Sequence, residues 1–138
     1  IFIFNKKGEM LLQQRATGKY HSAGLWTNTC CSHPLPGETT IAAAQRRLKE
    51  EMGFETPVEK IFQFTYKTAF DNGLTEHEVD HVFTGIYDGP VNANPEEVND
   101  FAYHSMEHIR HSINTAPHLY TSWFIIAFPK LETYLAGV

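Results

Sequence analysis

The stretch over residues 26–54 constrains this chain more than any other, because it joins a loop of reactive side chains to a strongly predicted helix. The loop holds two adjacent cysteines, Cys30 and Cys31, and His33 follows closely. Proline and glycine then punctuate the chain before the helix begins. Most of the chemistry that this sequence can supply converges on this stretch.

The helix is predicted to begin at Thr39 or Thr40 and to end just before Gly53. Threonine suits a helix N-cap, the intervening residues are mostly good helix formers, and glycine suits the left-handed position after the last turn. Spacings of three and four residues predict one apolar face, formed by Ile41, Ala44, Leu48 and Met52.

A charged face lies elsewhere on this helix, where Arg47, Glu50 and Glu51 fall together. One interpretation is an exposed face with Arg46–Glu50 and Arg47–Glu51 ion pairs, each contributing roughly 0.2–0.5 kcal/mol. The other is a cation site, because the glutamates lie at the helix end where negative charge opposes the helix dipole. The helix pattern alone leaves both interpretations open.

The spacing of these residues resembles the Nudix motif. The matching positions are Glu38, Arg46, Leu48, Glu50, Glu51, Gly53 and Phe54. Ser32 replaces the first glycine of the motif, and Arg47 replaces a glutamate that binds metal in the family. These departures, with WTNTCCSHP ahead of them, resemble the type I isopentenyl diphosphate isomerases, a Nudix branch that isomerises a diphosphate instead of hydrolysing it. The resemblance continues through NKKGEMLLQQRA, GKYH, FTYKTAFDNGLTEHEVDHVF and TSWF.

The resemblance implies the Nudix fold, a mixed β-sheet sandwiched between helices. The interleaved pattern of strands and helices also predicts an α/β (α+β) class, and 138 residues favour a single domain over residues 1–138. The chain opens in the strand-like IFIF, so we expect an N-terminal segment of the family to be absent.

The remaining elements are predicted from local patterns. Strands are predicted over residues 1–4, 9–14, 61–66, 74–86 and 100–104, and a turn over residues 71–73. Helices are predicted over residues 106–110, capped by Ser105, and from Thr121 onward, with Pro129 as a kink or break. In the strand over residues 74–86, Glu76, Glu78 and Asp80 share one face, which either faces solvent or binds a metal.

The resemblance also implies catalytic residues. Moving a proton across an alkene through a tertiary carbocation requires an acid, a base and a site that excludes water. By their match to the family, Cys31 and Glu78 are the acid–base pair, and Tyr66 assists on the Glu78 side. Trp123 matches the tryptophan whose π face stabilises the cation.

Binding residues are implied in the same way. Arg15, Lys19, Arg47 and Ser32 match the diphosphate site, where arginine forks bind phosphate oxygens and lysine supplies a point charge. Glu51 matches the protein ligand of a Mg²⁺ that binds with the diphosphate. His33, Glu76 and Glu78 match ligands of a second ion, which is Mn²⁺, Zn²⁺ or Mg²⁺, and the family's other histidine ligands lie upstream of the position of Ile1.

Composition narrows the class of partner. Apolar residues make up 42% of the chain and its net charge is −5, which argues against nucleic acid and anionic membranes as partners. The resemblance implies a small-molecule diphosphate as the partner, and we expect a monomer. Two adjacent cysteines form no disulfide framework and suit a reducing compartment, the cytoplasm, with Cys30 a small buried hydrophobe. The histidines at positions 104, 108 and 111 match no zinc pattern and are expected at the surface.

Two alternatives stay open beside the isomerase. A Nudix pyrophosphohydrolase would use the same fold, but it needs the glutamate that Arg47 replaces. A non-catalytic metal- or diphosphate-binding module would keep the fold without the chemistry. Replacing Cys31 by alanine separates a binding module from an enzyme, because binding does not require that thiol.

Overall fold

The fold is a mixed sheet between helices. A computed structural model describes residues 1–18, 22–31, 33–69 and 75–137, and for residues 66–69 and 75–78 it describes the backbone only. Within these residues the strands are β1 (Phe2–Phe4), β2 (Met10–Arg15), β3 (Trp26–Thr27), β4 (Glu59–Ala69), β5 (Thr75–Ile86) and β6 (Val98–His104). The helices are α1 (Thr40–Met52), α2 (Met106–Thr115) and α3 (Ser122–Leu135), with a 3₁₀ turn over Pro117–Leu119.

The sheet is mixed because β1 runs parallel to β5 and antiparallel to β2. The described strands follow the order β3-β2-β1-β5-β4, and β6 pairs with β2 along the whole length of that strand. This arrangement confirms the predicted fold class.

Alternation along the strands divides the core into two layers, since successive side chains of a strand point to opposite faces. Phe2 and Ile3 are neighbours in sequence but belong to different layers. The layer under α1 includes Ile1, Ile3, Leu11, Ala44, Leu48, Met52 and Phe83. The layer under α2 and α3 includes Phe2, Met10, Leu12, Val82, Ile109, Phe124, Phe128 and Leu131.

Helix α1 begins and ends as predicted. The Thr39 side chain accepts a hydrogen bond from the Ala42 amide, and Gly53 is left-handed with φ 73°. A Cβ on Gly53 would lie 2.2 Å from the Asn92 carbonyl oxygen, so glycine is required by contact as well as by φ. The predicted apolar face is wrong at Ile41, which is 41% exposed, because this residue lies in the first turn, outside the buried cluster under α1.

Several element boundaries differ from the prediction. The two-residue strand β3 lies where a loop was expected, and α2 extends to Thr115. Pro129 does not break α3, because neighbouring Phe128 and Leu131 are buried in the core and offset the lost backbone hydrogen bond. The predicted turn over residues 71–73 lies outside the described residues. Among the described helices, none has the length and apolar character needed to cross a membrane.

Candidate active site

A cavity of about 550 Å³ brings together side chains from both core layers. Its lining includes six of the residues that the family resemblance assigns to the site: Arg15, Cys31, His33, Arg47, Glu51 and Trp123. Apolar side chains from the sheet and α3 complete part of the wall, among them Phe2, Phe64, Val82 and Ala127. The cavity therefore joins a polar, charged wall to an apolar one.

The other predicted site residues are described less fully. Lys19 and Ser32 lie outside the described residues, and only the backbone is described for Tyr66, Glu76 and Glu78. The β4–β5 register pairs Tyr66 with Glu78. The predicted strand that carries Glu76 and Glu78 is thus confirmed as β5, while the side-chain arrangement of these two residues and Tyr66 stays a prediction. Asp80, two residues after Glu78 on the same strand, lines the cavity.

Cys31 presents a protonated thiol to the cavity. The thiol is half-buried and donates a hydrogen bond to Asn28 Oδ1 at 3.5 Å. Burial raises the pKa of Cys31, and the Glu51 carboxylate adds to the rise, whereas Arg15 and the hydrogen bond to Asn28 oppose it. The net shift is upward, so the resting group at neutral pH is a thiol that holds its proton.

Asn28 holds the acceptor for this thiol in place. The Asn28 side chain is buried, and its Nδ2 donates to the Ile1 carbonyl at 3.0 Å and to the Cys30 carbonyl at 2.7 Å. Its Oδ1 also accepts from the Thr27 hydroxyl at 2.9 Å. Sequence reasoning missed Asn28, because a spacing of three residues predicts contact only within a helix and residues 28–31 are not helical.

Cys30, unlike Cys31, is a fully buried part of the core. It is 0% exposed and belongs to the cluster under α1, which confirms the predicted small buried hydrophobe. Its thiol donates to Glu51 Oε2 at 3.4 Å, and burial, followed by the charge of Glu51, raises its pKa well above the usual value. Both cysteines are free, as predicted.

Glu51 is a buried carboxylate, which corrects the interpretation of the α1 charges as an exposed face. Only 5% of the residue is exposed, because the buried stripe of α1 includes it. Burial raises the pKa of Glu51, while the Arg47 guanidinium at 3.3 Å lowers it. The predicted Arg47–Glu51 pair therefore exists, but it faces the cavity instead of solvent.

Arg47 contacts carboxylates from two parts of the chain. Its guanidinium lies 2.8 Å from Glu50, 3.3 Å from Glu51 and 2.5 Å from Glu97. Burial alone would lower its pKa, but the hydrogen bonds with Glu97 and Glu50 outweigh burial and raise it. Glu97 was missed by sequence reasoning, because no local spacing links positions 47 and 97.

Arg46, next to Arg47, braces the loop before α1. It forms a bidentate ion pair with Glu38, in which Nε lies 2.8 Å from Oε2 and Nη2 lies 3.0 Å from Oε1. Its Nη2 also donates to the His33 carbonyl at 3.4 Å. Hydrogen bonds from Arg46 and from the Leu35 amide lower the pKa of Glu38. The predicted Arg46–Glu50 pair is also present at 3.0 Å. This brace ties the exposed His33 to the helix.

Arg15 lies on Trp123. Its guanidinium carbon is 5.3 Å from the centroid of the indole, a cation–π contact. Arg15 lies one residue beyond the predicted strand over residues 9–14, but β2 includes it because pairing with β6 continues past a register irregularity at Gln14 and Arg15. The residues expected for the diphosphate and for the cation thus touch each other.

The histidine cluster lies apart from this cavity. His104 is half-buried, which corrects the prediction of a surface residue, because its ring stacks on that of His108 with centroids 4.4 Å apart. Burial, followed by the charge of His108, lowers the pKa of His104. Within the described part of the chain, no group of three or more His, Cys, Asp or Glu side chains is arranged to hold a metal ion.

Several known proteins are similar to this chain in sequence. The NUDIX domain profile matches residues 1–124. The isopentenyl-diphosphate Delta-isomerase of Pectobacterium atrosepticum is 47% identical over 134 residues, covering 97% of this chain and 75% of the relative. The enzyme of that name from Serratia proteamaculans is 48% identical, covering 95% and 73%. Isopentenyl-diphosphate Delta-isomerase 2 of Photorhabdus laumondii is 52% identical, covering 90% and 70%.

Solved structures share the fold. A protein of Deinococcus radiodurans superposes with a TM-score of 0.78 at 17% identity, covering 94% of this chain and 78% of that chain. A MutT protein of Methanosarcina mazei Go1 gives the same TM-score at 21% identity, covering 96% and 88%. These structures establish the fold, and the sequence relatives establish the branch. This chain belongs to the isopentenyl-diphosphate Delta-isomerase family, built on the NUDIX domain.

Proposed function

We propose that this chain interconverts isopentenyl diphosphate and dimethylallyl diphosphate by protonation and deprotonation through a tertiary carbocation. The observation that carries the proposal is the cavity that holds the Cys31 thiol and the Trp123 indole together with charged Arg15 and Arg47. A diphosphate with a short hydrocarbon tail needs such a combination, since its head is charged and its tail is apolar. The family relationship supports the same reaction.

The diphosphate is assigned to the charged wall. Arg15 and Arg47 line the cavity, and Lys19 and Ser32 are proposed to join them by their match to the family. Arginine presents several N–H donors in a planar fork that matches phosphate oxygens. Arg47 also distinguishes this site from that of a hydrolase, because it replaces a glutamate of the Nudix motif with a cation.

Proton transfer is assigned to Cys31 and Glu78. The raised pKa of Cys31 and its hydrogen bond to Asn28 support a thiol that starts as the acid. The thiol proton adds to the terminal alkene carbon, and the π electrons form the new C–H bond and leave a tertiary cation. Glu78, with Tyr66 opposite it in the β4–β5 register, then removes a proton from the methylene carbon on the diphosphate side of the cation, and the electrons of that C–H bond form the new double bond. The net change is a moved double bond with the diphosphate intact.

Trp123 and the apolar wall protect the cation. An indole face stabilises a nearby desolvated cation by about 2 kcal/mol or more. The neighbouring Phe2, Val82 and Ala127 present no polar side chain that could trap the cation. Water exclusion matters here because water adds to tertiary cations.

Divalent ions fit the charged wall. Three carboxylates of the described residues, those of Glu50, Glu51 and Glu97, lie within 3.3 Å of the Arg47 guanidinium, and such an acidic surrounding suits a divalent cation. We propose that Glu51 holds Mg²⁺ with the diphosphate, and that His33, Glu76 and Glu78 hold Mn²⁺, Zn²⁺ or Mg²⁺. Carboxylate and imidazole ligands suit these ions, which would neutralise diphosphate charge when bound.

The experiment that tests the proposal is NMR of isopentenyl diphosphate incubated with the protein and Mg²⁺ in D₂O, recording proton and phosphorus signals together. We expect dimethylallyl signals, deuterium in the product and an unbroken diphosphate. Release of phosphate with the alkene unchanged would assign the chain to the hydrolases. Binding without any chemical change, with Mn²⁺ or Zn²⁺ also supplied, would favour a binding module.

A further inference from the structure

We propose that Glu97 is a positioning residue, which holds the Arg47 guanidinium in the cavity so that Arg47 meets the diphosphate in one orientation. The inference rests on the proposed function, because it takes the diphosphate as the ligand of Arg47. It adds a residue from a loop that neither the motif nor the spacing of charges in α1 indicates.

The contact between these residues is close and comes from a distant part of the chain. Arg47 Nη2 donates to Glu97 Oε1 at 2.5 Å across 50 positions of sequence. Both side chains are 22% exposed, so solvent screens this pair less than a fully exposed one. Glu50 also contacts Arg47, but its side chain is 45% exposed and belongs to the same helix. Glu97 therefore connects Arg47, on α1, to the loop that precedes β6.

The backbone around Glu97 is itself held in place. The Asn92 amide donates to the Met52 carbonyl at 3.0 Å, and the Asn94 amide donates to the Glu51 carbonyl at 2.8 Å. These bonds satisfy carbonyls at the end of α1 that have no partner within the helix. We call residues 92–97 the clasp, because this segment closes over the C-terminal end of α1.

The clasp is attached to the sheet as well. The Glu97 amide donates to the Asn94 carbonyl, and the Glu97 carbonyl accepts from the Ala16 amide, both at 3.0 Å. Ala16 follows Arg15 directly, so the clasp lies between two of the residues assigned to the diphosphate. A carboxylate on a backbone held at both ends can orient a long arginine side chain, which otherwise loses considerable rotamer entropy on binding.

Charge and position make different predictions for substitutions of Glu97. As a mere counter-charge, Glu97 would compete with the diphosphate for Arg47, and its removal would strengthen binding. As a positioning residue, it must supply an acceptor oxygen at the right reach. Glu97→Gln keeps the reach and an acceptor oxygen without the charge, whereas Glu97→Asp keeps the charge but is one methylene shorter.

The test measures the Kd of inorganic diphosphate by calorimetry in the presence of Mg²⁺, together with KM and kcat for isopentenyl diphosphate. We expect Glu97→Ala to weaken diphosphate binding about tenfold, which corresponds to about 1.4 kcal/mol. Glu97→Asp should weaken it several-fold, and Glu97→Gln should bind about as well as the wild type. KM should rise more than kcat falls. Glu96→Ala is the matched control, because Glu96 is the exposed neighbour in the same clasp and should bind diphosphate normally.

A double-mutant cycle with Arg47→Ala shows whether Glu97 acts through Arg47. In that background Glu97→Ala should cost no further affinity. A penalty that persists there, unchanged binding in Glu97→Ala, or an Asp variant that binds better than the Gln variant would each overturn the proposal. Thermal melting checks folding, and the Asp and Gln comparison stands if the alanine variant unfolds. A wild type that binds diphosphate without isomerising isopentenyl diphosphate would contradict the proposed function. The diphosphate affinities of the Glu97 variants would still decide whether Glu97 positions Arg47.

Discussion

The two sides of the sheet differ in what they bury. Under α1, the core accepts polar groups with partners: the Gln13 amide donates to the Thr29 carbonyl at 2.8 Å, and the Cys30 thiol donates to Glu51. Under α3, the core is dominated by aromatic rings, in which Phe124 packs on Phe2 and Phe128 with centroids 6.2 and 5.7 Å apart. The buried side chains under α1 therefore include hydrogen-bonded polar groups, whereas those that pack around Phe124 are aromatic.

This difference explains how one small sheet serves a substrate with a charged head and an apolar tail. Because strand residues alternate between faces, consecutive positions such as Val82 and Phe83 contribute to different layers. The cavity is lined from both layers, so it receives charged groups from α1 and apolar groups from α3. Separate disruption of each side tests this division.

Cys31→Ala, on the charged side, should reduce activity more than any other substitution considered for the cavity. Loss of the acid should lower kcat by about 10²–10⁴-fold, as expected for a general acid, while the Kd for inorganic diphosphate stays close to that of the wild type. Deuterium incorporation followed by NMR measures the rate. A variant that keeps wild-type turnover would show that the proton comes from another group.

On the apolar side, Phe124→Ala should lower the free energy of unfolding by about 3–5 kcal/mol. Phe124 is 0% exposed and contacts three aromatic rings, those of Phe2, Tyr120 and Phe128. Urea unfolding measures the change. Ile126→Ala, on the same helix but 37% exposed, is the control and should lose much less. Equal losses in both variants would contradict the assignment of the core to the buried face of α3.

Trp123→Phe tests the place where the two sides meet. Phenylalanine has a weaker π face than tryptophan, so kcat should fall about tenfold, and Trp123→Ala should lower it further, by about 30-fold or more. Diphosphate affinity should change far less than kcat. Trp26→Phe, in β3, removes the other tryptophan of the sequence and should leave kcat unaffected. A parallel loss of diphosphate affinity would instead assign Trp123 to support of Arg15.

The smallest effect is on the pH dependence of Tm, and it comes from protonation of His104, which lies away from the cavity. Burial and His108 lower the pKa of His104, so the folded state favours the neutral ring and the unfolded state binds the proton more readily. This contribution to stability is present above the ordinary histidine pKa of about 6.5 and is lost as the pH falls toward the lowered folded pKa. His104→Gln should therefore flatten the decline in Tm between about pH 7.5 and about pH 5.5. The exposed His118→Gln is the control, and an equal flattening there would contradict the assignment.

Local signals predicted much of the fold. The caps of α1 were predicted correctly because a threonine that accepts from an amide and a left-handed glycine act within a few residues. The Arg46–Glu50 and Arg47–Glu51 pairs followed from helix spacing for the same reason. The sequence predicted a kink or a break at Pro129, and the break does not occur, because the burial of Phe128 and Leu131, which local propensity does not include, holds the helix together across the proline.

Sequence patterns were enough to identify the branch of the family, most of the strands and helices, and six of the residues that line the cavity. Two contacts emerged only from the three-dimensional arrangement of the chain: Arg15 lies on Trp123, and Glu97 reaches Arg47. The physical reason is range. Helix and turn signals act over about four residues, whereas contacts between distant positions depend on sheet register and loop closure, which no local spacing records.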